Sequence, residues 1–65
     1  MINQNNKYYI DIEIWPGTNA ISASILEETP EGKKTVHITD DKQTIEMYKA
    51  VATPVSQRDF DALWR

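Results

Sequence analysis

Two runs of strict apolar–polar alternation flank a Pro-Gly turn, and they constrain the fold of this chain more than any other feature. Residues 7–15 carry isoleucines at one parity and acids at the other, and residues 20–27 alternate in the same way. A turn centred between Gly17 and Thr18 makes opposed residues sum to 35 and puts the isoleucines of both runs on one face. The apolar pairs are then Ile10–Ile25, Ile12–Ala23 and Ile14–Ile21. Because a slip of one residue would mix the two faces, the sequence predicts a β-hairpin in this register.

A second turn, marked by Pro30 and Gly32, leads into a third alternating run over about residues 34–39. Two registers are open here. A bulged turn with Gly32 in the left-handed conformation shifts the strand by one residue. The apolar pattern instead makes opposed residues sum to 61 and keeps Val36 and Ile38 on the isoleucine face. We follow the apolar pattern, because burial of a whole face outweighs one turn preference.

The remainder of the chain predicts two helices. The first, over about residues 41–52, starts from Asp40 as N-cap in a capping-box arrangement and carries an apolar stripe at helical spacing. The second, over about 57–64, starts from Ser56 as N-cap. A helix this short is not stable alone, so it must dock on the sheet or on another chain.

Together these elements predict an α+β fold with the order β-β-β-α-α. A three-stranded antiparallel meander packs one helix on its aliphatic face, and a short C-terminal helix follows. At 65 residues the chain allows one small domain, spanning 1–65, and we expect its Asn/Gln-rich residues 1–6 to be frayed.

Composition excludes several classes of protein. The absence of cysteine removes disulfides and thiolate zinc sites, and a single histidine disfavours other transition-metal sites, so no metal or cofactor is expected. Ten acidic residues against seven basic ones argue against binding to nucleic acid or to an anionic membrane. Apolar runs of at most three residues and a polar N-terminus argue against a spanning helix or secretory signal. A cytoplasmic location is therefore expected.

Polar residues on the predicted outer face of the sheet resemble a catalytic set. Ser24 would lie opposite both Asp11 and His37. In a hydrolytic triad the histidine stands between serine and acid, whereas here the serine is in the middle. Asp11 and Glu13 form a carboxylate pair on a solvated face, where neither is buried enough for acid–base work. The sequence therefore predicts a protein that is not an enzyme.

Aromatic side chains next to acids on this face are typical of binding surfaces. Trp64 is better placed to close a small core. His37 is either a plain surface residue or a pH sensor near the acids. The predicted partner-binding residues are Tyr9, Asp11, Glu13, Trp15, Glu27, Glu28, Glu31 and His37.

These observations favour a small acidic protein-interaction module of the inhibitor, antitoxin or adaptor type, of the kind that mobile elements such as phages encode. It would bind a basic protein surface through the polar, aromatic face of the sheet. Two alternatives stay open. One is a nucleic-acid-binding sheet, which the acids disfavour. The other is a structural subunit that forms homodimers through a sheet edge.

Overall fold

A computed structural model describes residues 5–15, 17 and 20–64 of the chain. The fold is α+β with the antiparallel order β3-β2-β1, as the sequence predicted, and the sheet has a fourth strand that was not predicted, which gives the order β3-β2-β1-β4. Part of the predicted frayed segment, residues 1–4, lies outside the described residues. The elements are β1 (Lys7–Trp15), β2 (Ala20–Glu28), β3 (Lys34–Thr39), α1 (Lys42–Val51), β4 (Thr53–Pro54) and α2 (Gln57–Trp64).

The β1–β2 hairpin has the predicted register. Antiparallel pairing runs from Lys7 opposite Glu28 to Trp15 opposite Ala20. Gly17 has a φ of +82°, a conformation that glycine adopts without steric cost. The alternation of isoleucine and acid therefore specified this pairing correctly.

The β2–β3 register differs from the predicted one by one residue. Ile25 lies opposite His37, and Leu26 lies opposite Val36. Gly32 has a φ of +87°, and its N–H donates to the carbonyl of Thr29 at 2.9 Å. This is the bulged turn with Gly32 in the left-handed conformation, so the local turn geometry prevails over the apolar pattern, and the register predicted from that pattern was wrong.

The register error has a physical reason, since the sheet is covered on both faces. Val36 leaves the isoleucine face but stays half-buried on the other, beside the fully buried Leu26. When both faces of a strand are covered, a shift of the register by one residue moves apolar side chains from one covered face to the other, so little buried apolar area is lost. We call the two sides the α1 face and the α2 face, after the helix on each. The α1 face carries Tyr8, Ile10, Ile12 and Ile14 of β1, Ile21, Ala23, Ile25 and Glu27 of β2, and Thr35, His37 and Thr39 of β3.

The main core lies on the α1 face. Ile45 and Ala52 pack there against buried side chains of β1 and β2. The ten residues of α1 span about 15 Å, whereas the nine residues of β1 span about 30 Å. The hairpin therefore extends past its helical cover, and Ile14 is 71% exposed although the sequence places it on the core face.

Helix α1 begins one residue later than predicted. Asp41, not Asp40, is the N-cap, and its carboxylate accepts from the N–H and the hydroxyl of Thr44 at 3.1 and 2.6 Å. The predicted cap of α2 is confirmed, since the Ser56 hydroxyl accepts from the Asp59 N–H at 3.1 Å. Neither of the two helices is long and apolar enough to cross a membrane.

The short strand β4 carries the chain from one face of the sheet to the other. It pairs in parallel with β1 at Tyr9 and Ile10, and the Val55 N–H donates to the Ile10 carbonyl at 2.9 Å. Helix α2 then lies on the α2 face. The Lys34 ammonium donates to the Leu63 carbonyl in its last turn at 2.6 Å, which caps the negative end of the helix dipole.

Candidate functional site

An open groove runs along α2 where the helix lies on the sheet. It consists of two adjoining depressions of about 220 and 350 Å³, which share Glu13 and Gln57. We call it the α2 groove. The first depression is lined by Asp11, Glu13, Ser24, Val36, Ile38, Gln57, Phe60, Asp61 and Trp64, and the second continues to Ile14 and Trp15.

Helix α2 forms one wall of the groove with a single helical face. Gln57, Phe60, Asp61 and Trp64 recur at intervals of three and four residues, so they lie above one another along the helix. Phe60 is 7% exposed and anchors the helix, whereas Trp64 is half exposed. The anchored ring therefore holds the outer residues of α2 in place over the sheet.

Three carboxylates surround the groove, and no cationic side chain lines it among the residues that the structure describes. Asp11 and Glu13 come from alternate positions of β1, and Asp61 comes from α2. Among the described residues, none of the three forms an ion pair. Carboxylates gathered at one depression lower the electrostatic potential there, which favours the approach of a cation.

Large apolar side chains are exposed beside these acids. Ile38 is 76% exposed in the first depression, and Trp15 is 55% exposed at the far end of the second. Trp64, which the sequence assigned to the core, is 50% exposed. Apolar and aromatic area next to charge is the composition that protein interfaces use.

The remaining polar cluster lies on the opposite face. The Glu27 carboxylate accepts from Asn6 Nδ2 at 2.8 Å and from the Tyr8 hydroxyl at 2.9 Å, and His37 Nε2 lies 3.5 Å away. The hydrogen bonds from Asn6 and Tyr8, with the smaller influence of His37, hold the pKa of Glu27 below its ordinary value. This cluster ties the start of β1 to β2 and β3.

The structure divides the predicted partner-binding residues. Asp11, Glu13 and Trp15 come together in the α2 groove. Tyr9 is half-buried opposite Leu26 and does not line the groove. Glu28 lines a separate depression near the β2–β3 turn, Glu31 is exposed in that turn, and Glu27 belongs to the polar cluster.

The predicted position of His37 was wrong. With the β2–β3 register shifted, Ser24 lies opposite Asp11 and Ile38, and His37 points to the α1 face. The resemblance to a serine–histidine–acid set therefore disappears. Within the described ranges, no three histidine, aspartate or glutamate side chains are grouped as metal ligands.

Sequence reasoning missed the part of the groove that α2 supplies. Gln57 and Asp61 were not proposed as site residues, and Ile38 was placed on the core face. The helical spacing from Gln57 to Trp64 was a readable signal that these residues share one face. Which face of the sheet they would cover was not readable, because it depends on the crossing at β4. No family model, curated protein sequence or solved structure matches the chain.

Proposed function

We propose that this protein is a small acidic interaction module without catalytic activity, which binds a basic segment of a partner protein in the α2 groove. One observation carries the proposal. Asp11, Glu13 and Asp61 surround exposed Ile38 and Trp64, with no counter-charge among the described residues. A segment that combines lysine or arginine with apolar side chains would complement both features.

The kind of partner follows from the negative charge of the groove and from its exposed apolar side chains. Inhibitors, antitoxins and adaptors of this size act by covering a surface on another protein, and an acidic module suits a target whose own surface is basic. Nucleic acid is a poorer ligand, because these carboxylates would repel phosphates. We therefore expect no shift of duplex DNA by the protein at low salt in a gel assay.

The test is a comparison of two double variants with equal charge change. In the first, Asp11→Lys/Glu13→Lys replaces two acids of the groove by cations and so reverses their charge. In the matched control, Glu31→Lys/Glu46→Lys reverses the charge of two exposed acids that line neither depression of the groove. Each immobilised protein is used to capture partners from an extract of the host cells, and the affinity for the captured partner is then measured by calorimetry.

We expect the groove variant to lose roughly tenfold or more in affinity, whereas the control retains partner binding. The affinity of the unmodified protein should fall as salt is added, because the attraction between exposed charges is screened. Equal binding by both variants, or binding that is insensitive to salt, would show that the groove is not the binding surface.

A further inference from the structure

The two edges of the sheet are protected to different extents. Val55 donates to the Ile10 carbonyl, so the backbone groups of Ile10 point away from β2 towards β4. Ile10 and Ile25 are therefore a non-hydrogen-bonded pair, and the N–H and C=O groups of Ile25 point away from β1 towards β3. There they meet the N–H and C=O groups of His37, which lies opposite Ile25. It follows that the backbone groups of Val36 and Ile38 point outward, along an edge that no described strand covers.

This β3 edge lacks the features that usually prevent strand pairing. Its six residues, Lys34–Thr39, include no proline and are mostly β-branched. Its one cation, Lys34, already donates to the carbonyl of Leu63. By contrast, β4 covers the outer edge of β1 at Tyr9 and Ile10, and the uncovered stretch beyond it carries the acids Asp11 and Glu13, whose charge disfavours pairing with a second copy.

We infer that the β3 edge pairs with the same edge of a second copy of this chain, and that the protein is a homodimer with a continuous sheet across a two-fold axis. The strand is self-complementary when opposed residues of the two copies sum to 74. Val36 then lies opposite Ile38, His37 opposite its own copy, and Lys34 opposite Asp40. Apolar residues meet on the α2 face, and the exposed Ile38 side chain gains a neighbour.

The neighbouring register is less favourable, which makes the inference specific. Opposed residues that sum to 72 would place the Lys34 ammonium against Ile38. A second copy also fits the edge better than a basic segment does, because the edge is nearly neutral while the groove acids lie on β1 and α2. The inference does not depend on the proposed function.

The absence of cysteine makes cross-linking a clean test of this register. Opposed residues of a non-hydrogen-bonded pair have Cα atoms about 4.5 Å apart, within the range that a disulfide spans. The variant His37→Cys should therefore form a covalent dimer under mild oxidation. The control Thr35→Cys lies on the same strand and face, but its two copies would be offset by four residues, about 13 Å along the strands, and should not cross-link.

Sedimentation equilibrium provides the second measurement. We expect twice the mass of one chain for the unmodified protein, and a dimer dissociation constant roughly tenfold or more higher for Ile38→Lys. Met47→Lys, a comparable change at a 44% exposed residue of α1, should leave the dimer intact. Circular dichroism checks that each variant is folded.

Several results would overturn the inference. A monomer at all concentrations would exclude the dimer. A dimer that survives Ile38→Lys but is lost in Ile14→Lys would place the interface on β1. Faster cross-linking of Thr35→Cys than of His37→Cys would contradict the register.

Discussion

At the scale of single residues, Glu27 shows how a side chain acquires a role that its sequence neighbours do not reveal. Between Leu26 and Glu28 it reads as part of an acidic turn. In the fold its carboxylate accepts hydrogen bonds from Asn6 and Tyr8, which lie 21 and 19 residues away. Its place in a partner-binding surface stays a prediction, whereas its contacts give it a structural role.

The substitution Glu27→Gln tests that role through the pH dependence of stability. Because its partners hold the folded-state pKa of Glu27 below the ordinary value of 4.5, its ionised form stabilises the fold above pH 4.5. That contribution is lost as the pH falls through the lower folded-state pKa. We expect Glu27→Gln to be less stable than the unmodified protein near neutral pH, with a gap that narrows in acid.

Urea unfolding at a series of pH values measures this gap. Glu31→Gln is the matched control, because Glu31 is exposed in the turn. The difference in stability between Glu31→Gln and the unmodified protein should not narrow comparably as the pH falls. A constant gap for Glu27→Gln would mean that the carboxylate charge does not contribute to folding.

At the scale of elements, the five-residue turn between β2 and β3 determines which face of the sheet each side chain of β3 occupies. The Thr29 N–H donates to the Lys33 carbonyl at 2.9 Å, and Gly32 completes the turn at a positive φ. That geometry sets the parity of β3. It therefore directs Val36 and Ile38 to the α2 face and His37 to the α1 face.

Replacement of Gly32 tests the control that the turn exerts. Gly32→Ala should lower the free energy of unfolding by about 1 kcal/mol, because a Cβ disfavours a φ of +87°. Gly32→Asn should cost less, since asparagine tolerates this region better. Denaturant titration measures both values. Equal stability of all three proteins would argue against a left-handed residue in the turn.

The contact between Lys34 and α2 is a second feature at this scale. Lys34→Met should lower the free energy of unfolding by about 0.5–1 kcal/mol, because it removes the cation at the C-terminal end of the helix. Amide hydrogen exchange should accelerate in α2 more than in α1. The neighbouring Lys33→Met is the control, and a similar acceleration in both variants would show that the contact does not hold the helix.

At the scale of the whole molecule, the sheet separates two packed layers of different size. The α1 face holds the larger buried cluster, and α2 adds a smaller layer with Leu26 and Phe60 at 0% and 7% exposure. The described residues extend over 41 × 24 × 14 Å, and the hairpin projects beyond its cover. The second layer stabilises the fold and also creates the groove.

We therefore expect Phe60 of α2 to contribute mainly to stability and Trp64 of the same helix to contribute mainly to partner binding. Phe60→Ala should lower the free energy of unfolding by about 3 kcal/mol, because it empties a buried position. Trp64→Ala should cost much less stability, since half of the ring is exposed, and it should reduce the affinity for the partner. Thermal and urea unfolding measure the first effect, and calorimetry with the captured partner measures the second. If Trp64→Ala were as unstable as Phe60→Ala, Trp64 would have to be a core residue.

The sequence by itself determined the features that depend on near neighbours. The β1–β2 register, the Ser56 cap and the α+β class all follow from alternation, turn residues and capping signals within a few positions. The β2–β3 register and the face of His37 were not determined in this way, because both faces of the sheet are covered and each can bury an apolar side chain. The local turn at Gly32 sets that register, and only the tertiary structure decided that it prevails over the apolar pattern, because the β4 crossing takes α2 to the second face and covers Val36 there. The groove that joins Asp11 and Glu13 to Asp61 exists for that reason.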